Sequence, residues 1–177
     1  MSYNFRWQEI SVAVSLLLIL SFIFSFSVSA LPAAEVNSGS GFLTAQLVFG
    51  TDNGEAFNIG GQYGIWQNLA IFAETGDPYS RIGGKYQIHD NIATTAGYII
   101  NESIFLGLSA QYNIWQDLTA AGELSLAASP ADESLTAFYD LGIIYDFPEN
   151  IDLRLSITDM LNDGQNIRTK IGLGYNF

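Results

Sequence analysis

His89 is the only histidine in a chain of 177 residues, and acid–base catalysis near neutral pH most often calls on that side chain. It stands in the short run His89-Asp90-Asn91, where a polar turn residue is the simpler reading. The sequence holds no Gly-x-Ser-x-Gly, no His-Glu-x-x-His and no phosphate-cradling loop. The absence of cysteine excludes thiolate metal sites and disulfides. Oxygen ligands for a hard cation gather in Thr51-Asp52-Asn53-Gly54-Glu55 and in Asn162-Asp163-Gly164-Gln165. The first run is shorter than an EF-hand loop, and Asx-Gly pairs are ordinary turn chemistry. We therefore expect no catalytic residue, no cofactor and no metal. What remains is a charged group near the C-terminus: Asp152, Arg154, Arg168 and Lys170. It would either bias ions in a narrow pore or form a salt-bridged plug.

The elements that must hold these charges are written in a repeat. Tyr63-Gly64-Ile65 runs into Trp66-Gln67-Asn68 and Leu69; Tyr86-Gln87-Ile88 runs into His89-Asp90-Asn91 and Ile92. Tyr112-Asn113-Ile114 leads through Trp115-Gln116-Asp117 to Leu118, and Tyr145-Asp146-Phe147 through Pro148-Glu149-Asn150 to Ile151. A fifth copy, Tyr175-Asn176-Phe177, ends the chain. Each copy is a strand end, three turn residues closing on Asn or Asp, and a new strand; Asn and Asp suit a turn because they tolerate a left-handed backbone. Looser connections rich in turn formers separate the copies at 51–56, 76–79, 101–103, 129–134 and 161–165. The punctuation predicts ten strands, at about 42–49, 57–65, 69–75, 80–88, 92–100, 104–114, 118–128, 135–147, 151–159 and 166–177. Eight is the alternative count. Sequential antiparallel strands of this number avoid exposed edges by closing, so the expected fold is an all-β, antiparallel, up-and-down barrel over residues 42–177.

Ahead of the barrel, Ser11 to Ala30 is an almost unbroken apolar run, followed by small residues in Val28-Ser29-Ala30 and Pro32-Ala33-Ala34. This predicts an N-terminal signal helix within residues 1–34, cleaved after Ala30 or Ala34, and a short periplasmic lead-in over 35–41. A retained membrane helix is the competing reading of the same run.

Composition decides what the barrel faces. Hydrophobic residues make up 49% and charged residues only 14%, against ~25% charged in soluble domains. A net charge of -12 excludes a nucleic-acid partner. After the leader only five bases remain, Arg81, Lys85, Arg154, Arg168 and Lys170. All share the polar parity of their strands with five acids, Glu74, Glu123, Asp140, Asp146 and Asp152. A confined lumen needs such balance, because buried charges must be paired; a water-facing wall would carry far more charge. The apolar parity therefore points outward into lipid. Tyr63, Tyr86, Tyr112, Tyr145 and Tyr175 fall at one height on it, as an interfacial aromatic girdle does, and Phe49, Phe57, Tyr98 and Tyr139 supply a sparser belt at the other end.

With these features the chain resembles the small outer-membrane β-barrel proteins of Gram-negative-type bacteria, over about residues 42–177. The most specific stretch is Lys170-Ile171-Gly172-Leu173-Gly174-Tyr175-Asn176-Phe177. Its Lys170, Gly172, Tyr175 and terminal Phe177 match that family's insertion signal. The resemblance implies a bacterial outer-membrane location, with both termini periplasmic. It also implies membrane lipids as surroundings, and recognition by the barrel assembly machinery and periplasmic chaperones during biogenesis. The outward loops are shorter than is usual in the family, which speaks against a receptor or adhesin. The reading is a monomeric structural wall protein or a narrow passive channel for ions or small solutes, without enzymatic activity. The alternatives are a lipid-modifying barrel enzyme, against which the single misplaced His89 argues, and a soluble periplasmic lipid-binding barrel with an inverted wall.

Overall fold

The computed structural model describes residues 36–51, 54–76, 79–100, 103–130, 134–161 and 167–177. The expected signal helix falls outside them, as do Asp52, Asn53 and residues 162–165 of the two acidic runs. Ten strands follow one another: β1 (Gly41–Thr51), β2 (Gly54–Trp66), β3 (Leu69–Thr75), β4 (Arg81–His89), β5 (Ile92–Ile99), β6 (Ser103–Trp115), β7 (Leu118–Ser129), β8 (Ser134–Asp146), β9 (Ile151–Met160) and β10 (Arg168–Asn176). Each pairs antiparallel with the next, and β1 pairs with β10, so the sheet closes on itself. Phe177 completes the seam, its amide donating to the Gly41 carbonyl and its carbonyl accepting from the Gly41 amide. Full closure leaves no edge strand.

Strand limits lie within three residues of those the repeat implies, and the differences are physical. β1 and β2 extend towards each other until Thr51 pairs with Gly54, leaving only two connecting residues where the composition suggested a looser loop. Gly50 and Gly54 take up positive φ of 88° and 99° to turn the chain, and the register shifts between Val48 and Thr51. The repeated turns also differ from plain three-residue loops. Trp66 pairs with Leu69, His89 with Ile92 and Trp115 with Leu118, each behind a register shift one or two residues earlier. A bulge accompanies each of these three turns, and the left-handed residue expected at the last turn position is found at Asn68 and, in the fourth copy, at Asn150. Among the described residues, only Asn68, Glu149 and Asn150 are non-glycines with positive φ, so Asn91 and Asp117 do not take the left-handed conformation.

Side chains alternate across the wall. Leu106, Leu126, Leu141 and Leu173 are among the outward residues, 61%, 47%, 51% and 47% exposed. The inward residues beside them are buried: Phe105, Ser109, Ser125, Asp140 and Lys170. This inverts a soluble protein, with apolar groups on the surface and ionised groups within. Such a cylinder is compatible with hydrocarbon and not with water, since contiguous exposed apolar surface on a soluble monomer rarely exceeds a few hundred Å². The chain is a transmembrane β-barrel.

Candidate functional site: the braced lumen

Ten strands enclose little more space than the eight that side chains alone can fill, and here side chains fill it in three tiers. Nearest the longer connections is an apolar tier of Ile99, Phe105, Ala127 and Phe138, with Phe72, Tyr79 and Met160 packed against it. Its aromatics sit on the otherwise polar parity and are opposed by small residues: Phe72 lies across from Gly83, Phe105 from Gly97 and Phe138 from Ser125. A large ring fits a narrow lumen where its neighbour has no side chain to compete. Tyr79 reaches the tier from the β3–β4 connection, its ring 4.8 Å from that of Phe138. Burial pushes its hydroxyl up to about 12.

Directly beneath lies the larger ionic tier. The Arg81 guanidinium is held over the rings of Phe72, Tyr79 and Phe105 at 5.4, 5.6 and 5.5 Å, a cation–π cage. Its Nε donates to Glu74 at 2.8 Å and its Nη1 to Glu123. Lys170 Nζ donates to Asp140 at 2.6 Å and stands 4.0 Å from Glu74. Ser125 donates to Glu123 at 2.6 Å. Every charged member is at least nine-tenths buried. Glu74 thus bridges two cations, and the set ties β3, β4, β7, β8 and β10 together through the interior. Gly60 makes room for it, because a Cβ there would press on the Glu74 side chain at 3.2 Å.

At the opposite end Arg154 binds Asp152 with two hydrogen bonds, Nε to Oδ1 at 2.6 Å and Nη2 to Oδ2 at 2.8 Å. Asn176 donates to the same carboxylate at 3.2 Å. The Arg154 guanidinium lies 5.2 Å from the Phe42 ring centre. Between the two ionic groups the wall is lined by neutral polar side chains and by Lys85, which is 2% exposed. Thr44 Oγ1, both amide atoms of Gln46 and Thr95 Oγ1 are buried without a protein partner.

Nine of the ten charged residues read as a lumen set are therefore buried: Glu74, Arg81, Lys85, Glu123, Asp140, Asp152, Arg154, Arg168 and Lys170. Seven of them form two groups and not one, Glu74, Arg81, Glu123, Asp140 and Lys170 in the larger and Asp152 with Arg154 in the smaller, while Lys85 and Arg168 are buried apart from these pairings. Asp146 is the correction: it has the inward parity but is the last residue of β8, beyond the packed interior, and is exposed to solvent. Asp159 was not anticipated. It is 5% exposed near the end of β9, on the other parity, and its Oδ1 accepts the Met160 amide at 2.7 Å. The inward aromatics were missed as well, although the signal was available in rings interrupting a polar parity opposite glycine.

Outside, Tyr63, Tyr86, Tyr112 and Tyr145 are exposed near the short turns, joined by Trp66 and Trp115 at 69% and 73% exposure. Tyr175 faces the same way but is half-buried, stacked near Phe177. In the C-terminal stretch Lys170 and Gly172 point inward while Phe177 is 49% exposed. His89 is exposed at the end of β4. Among the described residues no three potential metal ligands come together.

No protein-family model and no curated protein matches the sequence. Among solved structures the chain is similar to a de novo designed transmembrane β-barrel, at 15% identity and a TM-score of 0.47, over 81% of this chain and 99% of that one. It is similar to the KdgM porin at 11% identity and a TM-score of 0.46, over 78% and 99%. A triple mutant of the Rhodopseudomonas blastica porin gives 15% identity and a TM-score of 0.41, over 70% of this chain and 44% of the porin. At these scores the likeness assigns neither a family nor an activity.

Proposed function

We propose that this chain is an integral bacterial outer-membrane protein whose lumen is braced shut, serving as a monomeric structural element of the membrane without enzymatic activity. The carrying observation is the Glu74–Arg81–Glu123 and Glu74–Lys170–Asp140 network, which links five strands across the interior under an apolar tier. A buried pair with both partners in place resists separation, because exposing one charge alone leaves the other desolvated. Membrane lipids are its surroundings. Recognition of the C-terminal strand by the assembly machinery, with chaperone escort beforehand, belongs to the same proposal and rests on Lys170, Gly172, Tyr175 and Phe177.

A second reading, a narrow passive channel, is favoured by one specific observation. The mid-lumen atoms of Thr44, Gln46 and Thr95 lack protein partners, and buried polar groups of this kind are normally satisfied by water. Planar-bilayer recording separates the two readings. The braced barrel is expected to give no steady unitary current. A reproducible current altered in size or selectivity by Lys170→Glu would overturn it in favour of the channel.

A further inference from the structure

The segment Val36–Ser40 does not hang free below the barrel. Gly39 donates its amide to the Gly64 carbonyl at 2.9 Å, and the Gly64 amide donates to the Ser40 carbonyl at 2.9 Å. Gly64 is required here, because a Cβ at this position would collide with the Asn37 carbonyl oxygen. The chain then crosses towards β4, where the Val36 amide donates to Gln87 Oε1 at 3.0 Å. The other end of that side-chain amide, Nε2, donates to the Asp90 carbonyl at 3.2 Å, fixing it to the β4–β5 turn. Val36 itself is only 3% exposed.

The rim shows what this crossing covers. Inward residues next to the short turns should meet water at the mouth of the barrel. On the β6–β8 side they do: Asn113 and Asp146 are exposed and Thr119, second in β7, is half-buried, while Asp152, second in β9, is buried by Arg154 and Asn176. On the β2–β5 side they do not: Ala70 and Ala93, each the second residue of its strand, are both 0% exposed. The covered rim is also the one built from Gly and Ala, which leaves room for a strand of backbone above it.

We propose that residues 36–40 form a strap that closes the β2–β5 half of the turn-side mouth and restricts entry to the lumen to the opposite half. The strap is clamped by Gln87 and seated on Gly64. It acts on access to the lumen whether or not the lumen conducts, so it stands apart from the choice between braced wall and channel.

The absence of cysteine allows a clean test in the full chain refolded in detergent. Ala93→Cys reports on the covered rim and Asn113→Cys on the open one, each reacted with a bulky, membrane-impermeant maleimide. The expected result is labelling of Cys at position 93 at least about tenfold slower than at 113. Adding Val36→Asp or Gln87→Ala should bring the two rates within about twofold, with an unchanged far-ultraviolet circular dichroism spectrum. Gln87→Ala removes no main-chain hydrogen bond of the wall, so the test survives if the Val36→Asp chain fails to fold. Equal rates at the two positions in the parent background would overturn the proposal. So would slow labelling at 93 that persists when the Gln87 clamp is removed from a folded barrel.

Discussion

At the scale of single residues the interior is governed by the cost of leaving a charge unpaired. Lys170 has Asp140 at 2.6 Å as its close partner, and removing one member of a buried pair typically costs about 3–5 kcal/mol. Asp140→Asn is therefore expected to lower the unfolding free energy in detergent by roughly that amount, measured by urea titration. Adding Lys170→Met should recover most of the loss, since replacing both partners removes the stranded charge. A loss below about 1 kcal/mol for Asp140→Asn would mean that water reaches the pair as at a surface ion pair. Tyr79 makes a separate prediction. Its hydroxyl is raised to about 12 by burial, so the folded barrel holds this proton more tightly than the unfolded chain does. The resulting stability is complete below the ordinary tyrosine value near ~10 and fades as pH rises through about 12. Between pH 9 and 11.5 the thermal midpoint should fall further for the parent than for Tyr79→Phe. Parallel falls would show that Tyr79 does not titrate against burial.

At the scale of the strand, what matters is the alternation and the depth of each residue in the membrane. Leu141, in the middle of β8, is 51% exposed, and Leu135, at its start, is 61% exposed. Exposure barely separates them, but hydrocarbon depth does. An arginine on the lipid face costs about 2–4 kcal/mol at the midplane and about 0–1 near an interface. Leu141→Arg should lower stability in lipid vesicles by the larger amount and Leu135→Arg by the smaller. Equal costs at the two positions would contradict the assigned depth. Strand identity and parity were readable in the sequence because period-two patterning, with one greasy side, fixes both. The bulges behind Trp66, His89 and Trp115 were not readable: a two-residue turn with a bulge and a three-residue loop use the same letters, and the closing pair decides between them. The exposed Asp146 shows a further limit. Parity tells which way a side chain points, but not whether the lumen extends that far.

For the whole molecule, closure between β1 and β10 follows from ten sequential strands with no apolar edge to leave open. The charge balance said that ions lie inside, yet their division into two groups depends on contacts between strands remote in sequence. Arg81 reaches Glu123 across 42 positions and Lys170 reaches Asp140 across 30; no local pattern encodes such pairs. The strap at Val36 escaped notice for the same reason, since its partner Gln87 is 51 residues away. Every one of these features presupposes that the apolar parity faces lipid. Spin labels at single cysteines introduced at Leu106, Leu141 and Leu173, compared with labels at Ser109 and Ser125, address that directly in reconstituted bilayers. The first three should collide readily with oxygen dissolved in the lipid and hardly with a water-soluble nickel chelate, while the inward pair should be shielded from the lipid-dissolved oxygen. If the inward labels met lipid-dissolved oxygen and the leucine positions met the chelate, the wall would be reversed and the account with it.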